Sequence, residues 1–484
     1  MKVSWSGRIA AANTVRFATP AHPGEQAKRS KWQLRSQLYY SLILLFYIKI
    51  PTFSPIFVSP NQPPLMKKSG GPVKGFSLAK QAMKDYAALT GQQDLPDFGN
   101  TEETFRHLSN SELKNNTRLF KMMGMDWLTN LMSGVGVGAV NLGLPGAAWM
   151  VRNTIYRQFV GGTSLVNALP FIERLFERNV TSMLDYGAEA KSTDEDYNYF
   201  MEEVLRGIDF SAEAPAANAV VVKMTALAPD NLLIKLNDEV TDFDAATNTE
   251  LQATLRRLDA ICGLAEKRGV QVYIDGEESW MQNTIDQLAN RMMSRYNRER
   301  VTVLNTFQLY RHDRLAYLKL SHETAQAEGY ILGVKLVRGA YMVKENARAK
   351  EKGYPTPIQP SMEATHADFN AAVRYCVDNV ETISCCIGSH NEASVRLLTE
   401  LIAEKGLPRD HPHLRCAQLL GMSGNLTFNL AANGYNGSKY MVYGPVKEVL
   451  PYLVRRAQEN ASVTGEMGRE MGLIQQEVKR REMA

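Results

Sequence analysis

Cysteine is scarce in this chain. Five occur in 484 residues, at Cys262, Cys376, Cys385, Cys386 and Cys416, with no CxxC spacing and an odd total. That excludes a disulfide framework and implies a reducing compartment. Cys385 and Cys386 are neighbours in an apolar run, so in a strand their thiols would point to opposite faces as buried structural groups. Charge of one sign is also lacking: 55 basic residues stand against 51 acidic ones. The small basic excess sits near the N-terminus rather than along a helix face, which argues against nucleic acid as the main partner. No long apolar run goes unbroken. Residues 38–58 are very apolar, but Lys49, Pro51 and Pro55 interrupt them, leaving about eleven continuous residues where a spanning helix needs about twenty. A membrane span, a membrane-contact segment, a linker and a gene-model error all remain open for this stretch. A dinucleotide fingerprint is missing too. GVGVGA (134–139) satisfies G-x-G-x-x-A, but no strand pattern precedes it and no acidic residue follows at ribose distance, so a helix break or close helix packing is the better reading. Asp242 and Asp244 imitate a calcium loop, yet Thr247 and Ala253 stand where that loop needs glycine and a bidentate glutamate.

What is present is ordinary globular composition, 44% hydrophobic and 22% charged, enough for one large or two medium domains. Residues 1–37 carry Lys2, Arg8, Arg16, Lys28, Arg29, Lys31 and Arg35 against the single acid Glu25, the composition of a mitochondrial presequence. Residues 38–77 then form the apolar segment and a Pro/Gly/Ser/Lys linker, and 78–178 read as helical. Beyond 179 the chain alternates short β-branched runs with amphipathic stretches. The candidate strands are 180–186, 219–227, 270–275, 301–307, 330–337, 382–388, 413–420 and 439–443. A helix after the first opens on a capping-box pattern, Ser192 to Glu195, and another runs from Ser361 to about Asn379. Eight βα units over 179–465 predict an α/β fold, a (β/α)8 TIM-like barrel preceded by a helical region, with 466–484 as a tail. In such barrels the chemistry lies at the C-terminal ends of the strands.

Those ends carry Asp185, Glu189, Lys223, Asp275, Asn305, Gln308, Lys335, Arg338, Tyr341, Ser389, His390, Asn391 and Tyr443, with Arg455, Arg456 and Glu459 on the last helix. Cations dominate, among aromatic rings and amides, which suits a carboxylate substrate beside an anionic, phosphate-bearing cofactor. Glu459 is placed to fix both arginines for bidentate capture, although a solvated ion pair would show the same spacing. Lys223 lies in a valine run and needs a partner, with Glu189 a candidate. Lys223 and Lys335 also keep open an imine-forming lyase. His390 could ligate a metal, but no second ligand sits at suitable spacing, so no metal is expected.

KLVRGAYM (335–342), YIDGE (273–277), GSHN (388–391), QLLGM (418–422) and YGPVKEVLPYLVRRAQEN (443–460) resemble the proline dehydrogenase family over roughly 155–465. The resemblance implies FAD-dependent oxidation of L-proline to Δ1-pyrroline-5-carboxylate by hydride transfer from C5 to flavin N5. The implied electron acceptor is ubiquinone, at the matrix side of the inner mitochondrial membrane. It implies that Lys223, Arg455 and Arg456 hold the substrate carboxylate and that Tyr341, Leu419 and Tyr443 pack the ring. Asp275 would orient the tyrosine, while Glu459 and Glu189 brace the cations. Asn305, Gln308, Lys335, Val337, Arg338, Gly339, Ala340, Ser389, His390 and Asn391 would line the FAD site. Met342 departs from the tryptophan frequent in bacterial members. A hydroxyproline dehydrogenase shares nearly every motif; proline is favoured because Tyr443 would crowd a 4-hydroxyl group. A membrane-bound adaptor built around 38–58 is the remaining non-enzymatic alternative.

Overall fold

The computed structural model describes residues 95–123, 149, 151–187, 192–237, 244–462 and 464–483, all within one compact unit, Ser77–Ala484. The expected presequence, the apolar segment 38–58, the linker, GVGVGA and Glu189 lie outside the described residues.

Nine strands form one sheet: β1 (Val160–Gly162), β2 (Val180–Tyr186), β3 (Ala217–Val222), β4 (Gln271–Ile274), β5 (Val303–Gln308), β6 (Leu332–Val337), β7 (Ile383–Gly388), β8 (Leu414–Leu419) and β9 (Gly437–Tyr443). Every pairing is parallel, and β9 pairs with both β8 and β2, so β2 to β9 close into an eight-stranded barrel with helices between the strands. All eight expected strands are present. The main trimming is at β3, which stops at Val222 because Lys223 leads into a 3-10 turn, Met224–Ala226. The short β1 joins the end of β9, Val160 opposite Val442.

Local chemistry sets the helix limits. Asp244, the false calcium ligand, caps the helix Ala245–Arg268 by accepting from the Thr247 N–H at 2.7 Å, and Gly269 ends it at φ +72°. The expected capping box is shifted by one residue: Thr193, not Ser192, caps the helix Asp194–Glu213, and its hydroxyl pairs with Asp196 rather than Glu195. Ser361 caps Met362–Asp378 as the spacing predicts. The expected C-terminal tail includes a helix, Thr464–Met483. Its Ile474 packs against Phe105 and Leu113, and Arg481 donates to the carbonyls of Phe105 and Leu108 at 2.8 Å. Among the described residues no helix is long and apolar enough to cross a membrane.

Strand alternation divides the core into two layers. Outward residues such as Val220, Ile274, Val334, Ile387 and Met441 pack under the helices. Met183, Val221, Tyr273, Leu304, Cys386 and Ala417 fill the barrel. Cys385 joins the outer layer and Cys386 the inner one, and all five thiols are buried and free.

Gly333 in β6 lies close against the backbone of β5. A Cβ there would lie 2.1 Å from the Val303 carbonyl oxygen and 2.9 Å from the Leu304 Cα. Both obstacles are backbone, so β5 and β6 would have to part. Gly333→Ala is expected to cost about 3 kcal/mol, the upper end of ordinary overpacking. Urea unfolding should show this as a lower midpoint with an unchanged slope.

Candidate active site

The inner alternation continues past the apolar layer and ends in charge. Two residues beyond Met183, Val221 and Tyr273 stand Asp185, Lys223 and Asp275, while Lys335 points inward from β6 and Tyr440 from β9. They form one network. Lys223 Nζ lies 2.7 Å from Asp185 Oδ2 and 3.3 Å from Asp275 Oδ2. Lys335 Nζ is ion-paired with Asp275 Oδ1. The Tyr440 hydroxyl is 2.7 Å from Asp185 Oδ2 and 2.8 Å from Asp275 Oδ2, and it accepts from Lys223 at 3.1 Å.

Burial raises both carboxyls, but the balance differs between them. For Asp275 the Lys335 and Lys223 ammoniums and the hydrogen bonds from Lys335 and Tyr440 overcome burial and bring it down to about 2. For Asp185 burial wins, with Lys223 opposing it and the Asp275 charge adding to it, so its carboxyl is held above the usual range. Burial and the two carboxylates push the Tyr440 phenol far up, keeping it neutral.

Around this centre lies a cationic rim. Arg338, after β6, donates to Ser389 Oγ at 2.7 Å, Ser394 Oγ at 2.9 Å and His366 Nδ1 at 2.9 Å, and stacks 4.3 Å over the Phe369 ring. His390 is brought down to about 3 by burial first and then by Lys439, Arg456, Arg469 and Arg338. Among the described residues no cluster could hold a metal, and Arg338, Arg456 and Arg469 form a donor set suited to a phosphate-bearing anion, whereas Lys439, one step from the inward Tyr440, is turned behind the wall and donates to the Met422 carbonyl at 2.6 Å. Arg456 is only 6% exposed and lies 5.3 Å over the Tyr452 ring, so it is not a solvated surface cation. Arg455 beside it is half-buried.

Lys223, Asp275 and Lys335 thus meet inside the barrel, whereas Arg338, Ser389, His390 and Asn391 meet at the rim. Asn391 caps the helix Glu392–Glu404 by accepting from the Ser394 N–H at 3.0 Å. Val337, Gly339, Ala340, Tyr341 and Leu419 are half-buried or exposed at the strand ends. Gln308 is buried, donating to the Glu277 carbonyl at 2.7 Å. Two placements correct the sequence reading. Asn305 follows the inward Leu304 and so faces outward, where it donates to Asp286 at 2.8 Å behind the barrel wall. Tyr443 stands three residues after the inward Tyr440, an odd step, so it also faces outward. It packs 5.5 Å from the Tyr186 ring, and a Cβ on Gly207 of the helix Asp194–Glu213 would lie 3.7 Å from its hydroxyl. Asp185 and Asp275 stand beside Lys223, and Glu189 lies outside the described residues. Of the Glu459 side chain nothing is described. Tyr440 and the role of Asp185 escaped the sequence reading, although counting by twos from Met183 and Ser438 finds both.

A closed (β/α)8 barrel with a Lys/Asp/Tyr centre at the C-terminal ends of its strands and a cationic rim defines the class, an enzyme barrel. The family profile described as Proline dehydrogenase matches residues 168–469, more than half of the chain, and the chain belongs to this family. It is 28% identical over 376 residues to "Proline dehydrogenase 1, mitochondrial" of Dictyostelium discoideum, covering 69% of this chain and 66% of that protein. It is 32% identical over 368 residues to "Hydroxyproline dehydrogenase" of Xenopus laevis, covering 69% and 79%. Against "Proline dehydrogenase 1, mitochondrial" of Homo sapiens the identity is 40% over 238 residues, covering 48% and 40%, so the match spans less than half of that relative. In fold it is similar to proline utilization A from Bdellovibrio bacteriovorus inactivated by N-propargylglycine, with TM-score 0.59 and 21% identity over 82% of this chain and 42% of that one.

The Asp275 carboxyl is lower in the folded state than the ordinary 3.8. The stability it contributes is therefore fully present above that ordinary value and is lost as pH falls from there through about 2. Asp275→Asn should flatten this part of the acid-unfolding curve. At neutral pH it should cost about 3–5 kcal/mol by leaving Lys335 facing no carboxylate. Urea titrations at pH 7 and at a series of acid pH values measure both effects.

Proposed function

We propose that this protein oxidises L-proline to Δ1-pyrroline-5-carboxylate with FAD as its cofactor and a quinone as the final electron acceptor. The observation that carries the reading is the pairing of a cationic rim with the Lys223–Asp275–Tyr440 centre inside the barrel, in a chain of the proline dehydrogenase family. FAD would supply the two-electron acceptor for the hydride on proline C5. The cluster of Arg338, Arg456 and Arg469 around His390 fits its phosphates, and residues 337–340 and 389–391 with Gln308 would hold it.

The chain's own groups would bind and orient. Arg455, Arg456 and Lys223 take the substrate carboxylate, with charge-assisted hydrogen bonds fixing the ring. Tyr341, Leu419 and Tyr440 pack the ring, the last in the role expected of Tyr443. Asp275 fixes Tyr440 through the 2.8 Å hydrogen bond. An imine-forming lyase is disfavoured, because Lys223 and Lys335 are both held in ion pairs with aspartates and an imine-forming lysine has to present a free amine. The names of the relatives support mitochondrial placement, and the matrix side of the inner membrane follows for an enzyme feeding quinone. The domain reading that accompanies this function is a presequence at 1–37, a helical region at 78–178 and the barrel at 179–465.

The purified protein should be yellow and should bleach when L-proline is added without an acceptor. A folded, flavin-loaded preparation that stays oxidised defeats the reading. Arg455→Met and Arg456→Met should each raise KM for proline by roughly ten- to a hundredfold, the value of one charge-assisted bond of about 1.5–3 kcal/mol. Hydroxyproline is the second substrate to test, given the Xenopus laevis relative. Tyr440→Ser should shift the kcat/KM ratio toward 4-hydroxyproline by opening room at the ring, whereas Tyr443→Phe, behind the wall, should leave the ratio unchanged.

A further inference from the structure

A secondary ammonium has no lone pair with which to expel a hydride from the neighbouring carbon. Oxidation of a cyclic amino acid at neutral pH therefore needs a group that removes one proton from nitrogen before the C–H bond breaks. Lys223 and Lys335 both donate to aspartate carboxylates. Asp275, at about 2, is too weak a base. Glu277 is raised to about 7, by burial first, but both its oxygens are occupied by Thr225, whose N–H donates at 3.1 Å and whose hydroxyl donates at 2.6 Å.

Asp185 differs from all of these. It is 2% exposed, and among the described residues its Oδ1 is buried without a hydrogen-bond partner. Its Oδ2 lies 2.7 Å from the Tyr440 hydroxyl, which is also 2.8 Å from Asp275. A hydroxyl has one proton, so it can donate to only one of the two carboxylates at a time. It can pass that proton to Asp185 while taking another from a third group. The charged and titratable groups facing Asp185 are Lys223 at the end of β3, Asp275 at the end of β4 and Tyr440 on β9, with Lys335 of β6 beyond Asp275 and Tyr443 behind the wall.

We propose that Asp185 is the proton acceptor of the site, acting through Tyr440. The substrate N–H bond breaks as its proton moves to the Tyr440 oxygen, and the Tyr440 proton moves to Asp185 Oδ2. The pair left on nitrogen forms the C5=N bond as hydrogen leaves C5 with its electrons for the flavin, which is the oxidant. Asp185 is thus a positioning and proton-accepting residue that does not touch the substrate. This rests on the proline-oxidising reading above.

The test is the pH dependence of kcat/KM for flavin-loaded wild type, Asp185→Asn, Glu277→Gln and Tyr440→Phe. Asp185→Asn should lose on the order of a hundredfold at pH 7, as removal of a general base does. It should regain activity tenfold per pH unit above pH 7, recovering the hundredfold by about pH 9, as the solvent delivers more of the free amine. Binding of a competitive carboxylate analogue that lacks nitrogen should change less than threefold. A loss equal at every pH makes the residue merely structural and overturns the inference. So does a lost acid limb in Glu277→Gln with Asp185→Asn unchanged. If Asp185→Asn does not fold, Tyr440→Phe decides: the same pH-dependent loss supports the relay, and an unaltered acid limb overturns it. A wild-type holoenzyme that stays oxidised with L-proline defeats both readings. Normal wild-type turnover with an unchanged Asp185→Asn profile defeats this one alone.

Discussion

The costliest feature of this structure is the charge buried in the barrel. Two ammoniums and two carboxyls lie within ion-pair distance of one another at the C-terminal ends of the strands, joined by a single phenol. Any one of them alone in that place would be expelled or neutralised. Their mutual geometry therefore has to be set by something rigid, and the barrel supplies it. Asp185, Lys223, Asp275, Lys335 and Tyr440 come from five different strands or strand ends, each placed by the register of a closed parallel sheet. A shift of one residue in any strand would turn its member out of the lumen.

Closure also explains the division of labour across the wall. A second polar cluster lies outside the lumen. Asp286 accepts from Asn305, Gln282 and Arg314, with Arg314 paired to it at 2.6 Å. It ties β5 to the helices Ser279–Tyr296 and Arg314–Glu328, and its members are more buried than those of the inner network, where Asp275 and Tyr440 are half-buried. Both clusters are built from residue types that draw attention in a sequence. Only the face of the strand tells which can meet a substrate, and this is why Asn305 belongs to the scaffold.

The architecture was legible because hydrophobic runs and helix signals recur eight times, and the site's location followed from the barrel rule. Lys223, Asp275 and Arg338 were legible as cations or acids at strand ends. Partnership was not. In the sequence Glu189, at the mouth of the neighbouring strand, is a candidate for Lys223, and the shared face of adjacent strands brings Asp185 to 2.7 Å. Tyr440 was hidden within KYMVY, and the motif beginning at Tyr443 drew the assignment three residues too far. Motif resemblance fixes a neighbourhood to within a few residues. Period-two alternation, already present in the sequence, then decides between inside and outside.

The rim is completed by segments remote in sequence from the barrel strands. Arg469, on the C-terminal helix, donates to the His390 carbonyl at 3.3 Å. The neighbouring Glu470 carboxyl, raised by burial, faces Lys439 and the backbone N–H groups of Ser423 and Gly424. Those N–H groups begin the helix Gly424–Ala432, where a carboxylate is favoured. Ser423 is itself held at φ +48°, and its hydroxyl lies 3.0 Å from His390 Nδ1. A strained residue of this kind persists only when its surroundings overdetermine it. Here the surroundings include a helix that is in turn fastened to Phe105 and Leu108 through Arg481. The orientation of His390 therefore depends on both ends of the described chain, and the barrel strands alone would not fix it.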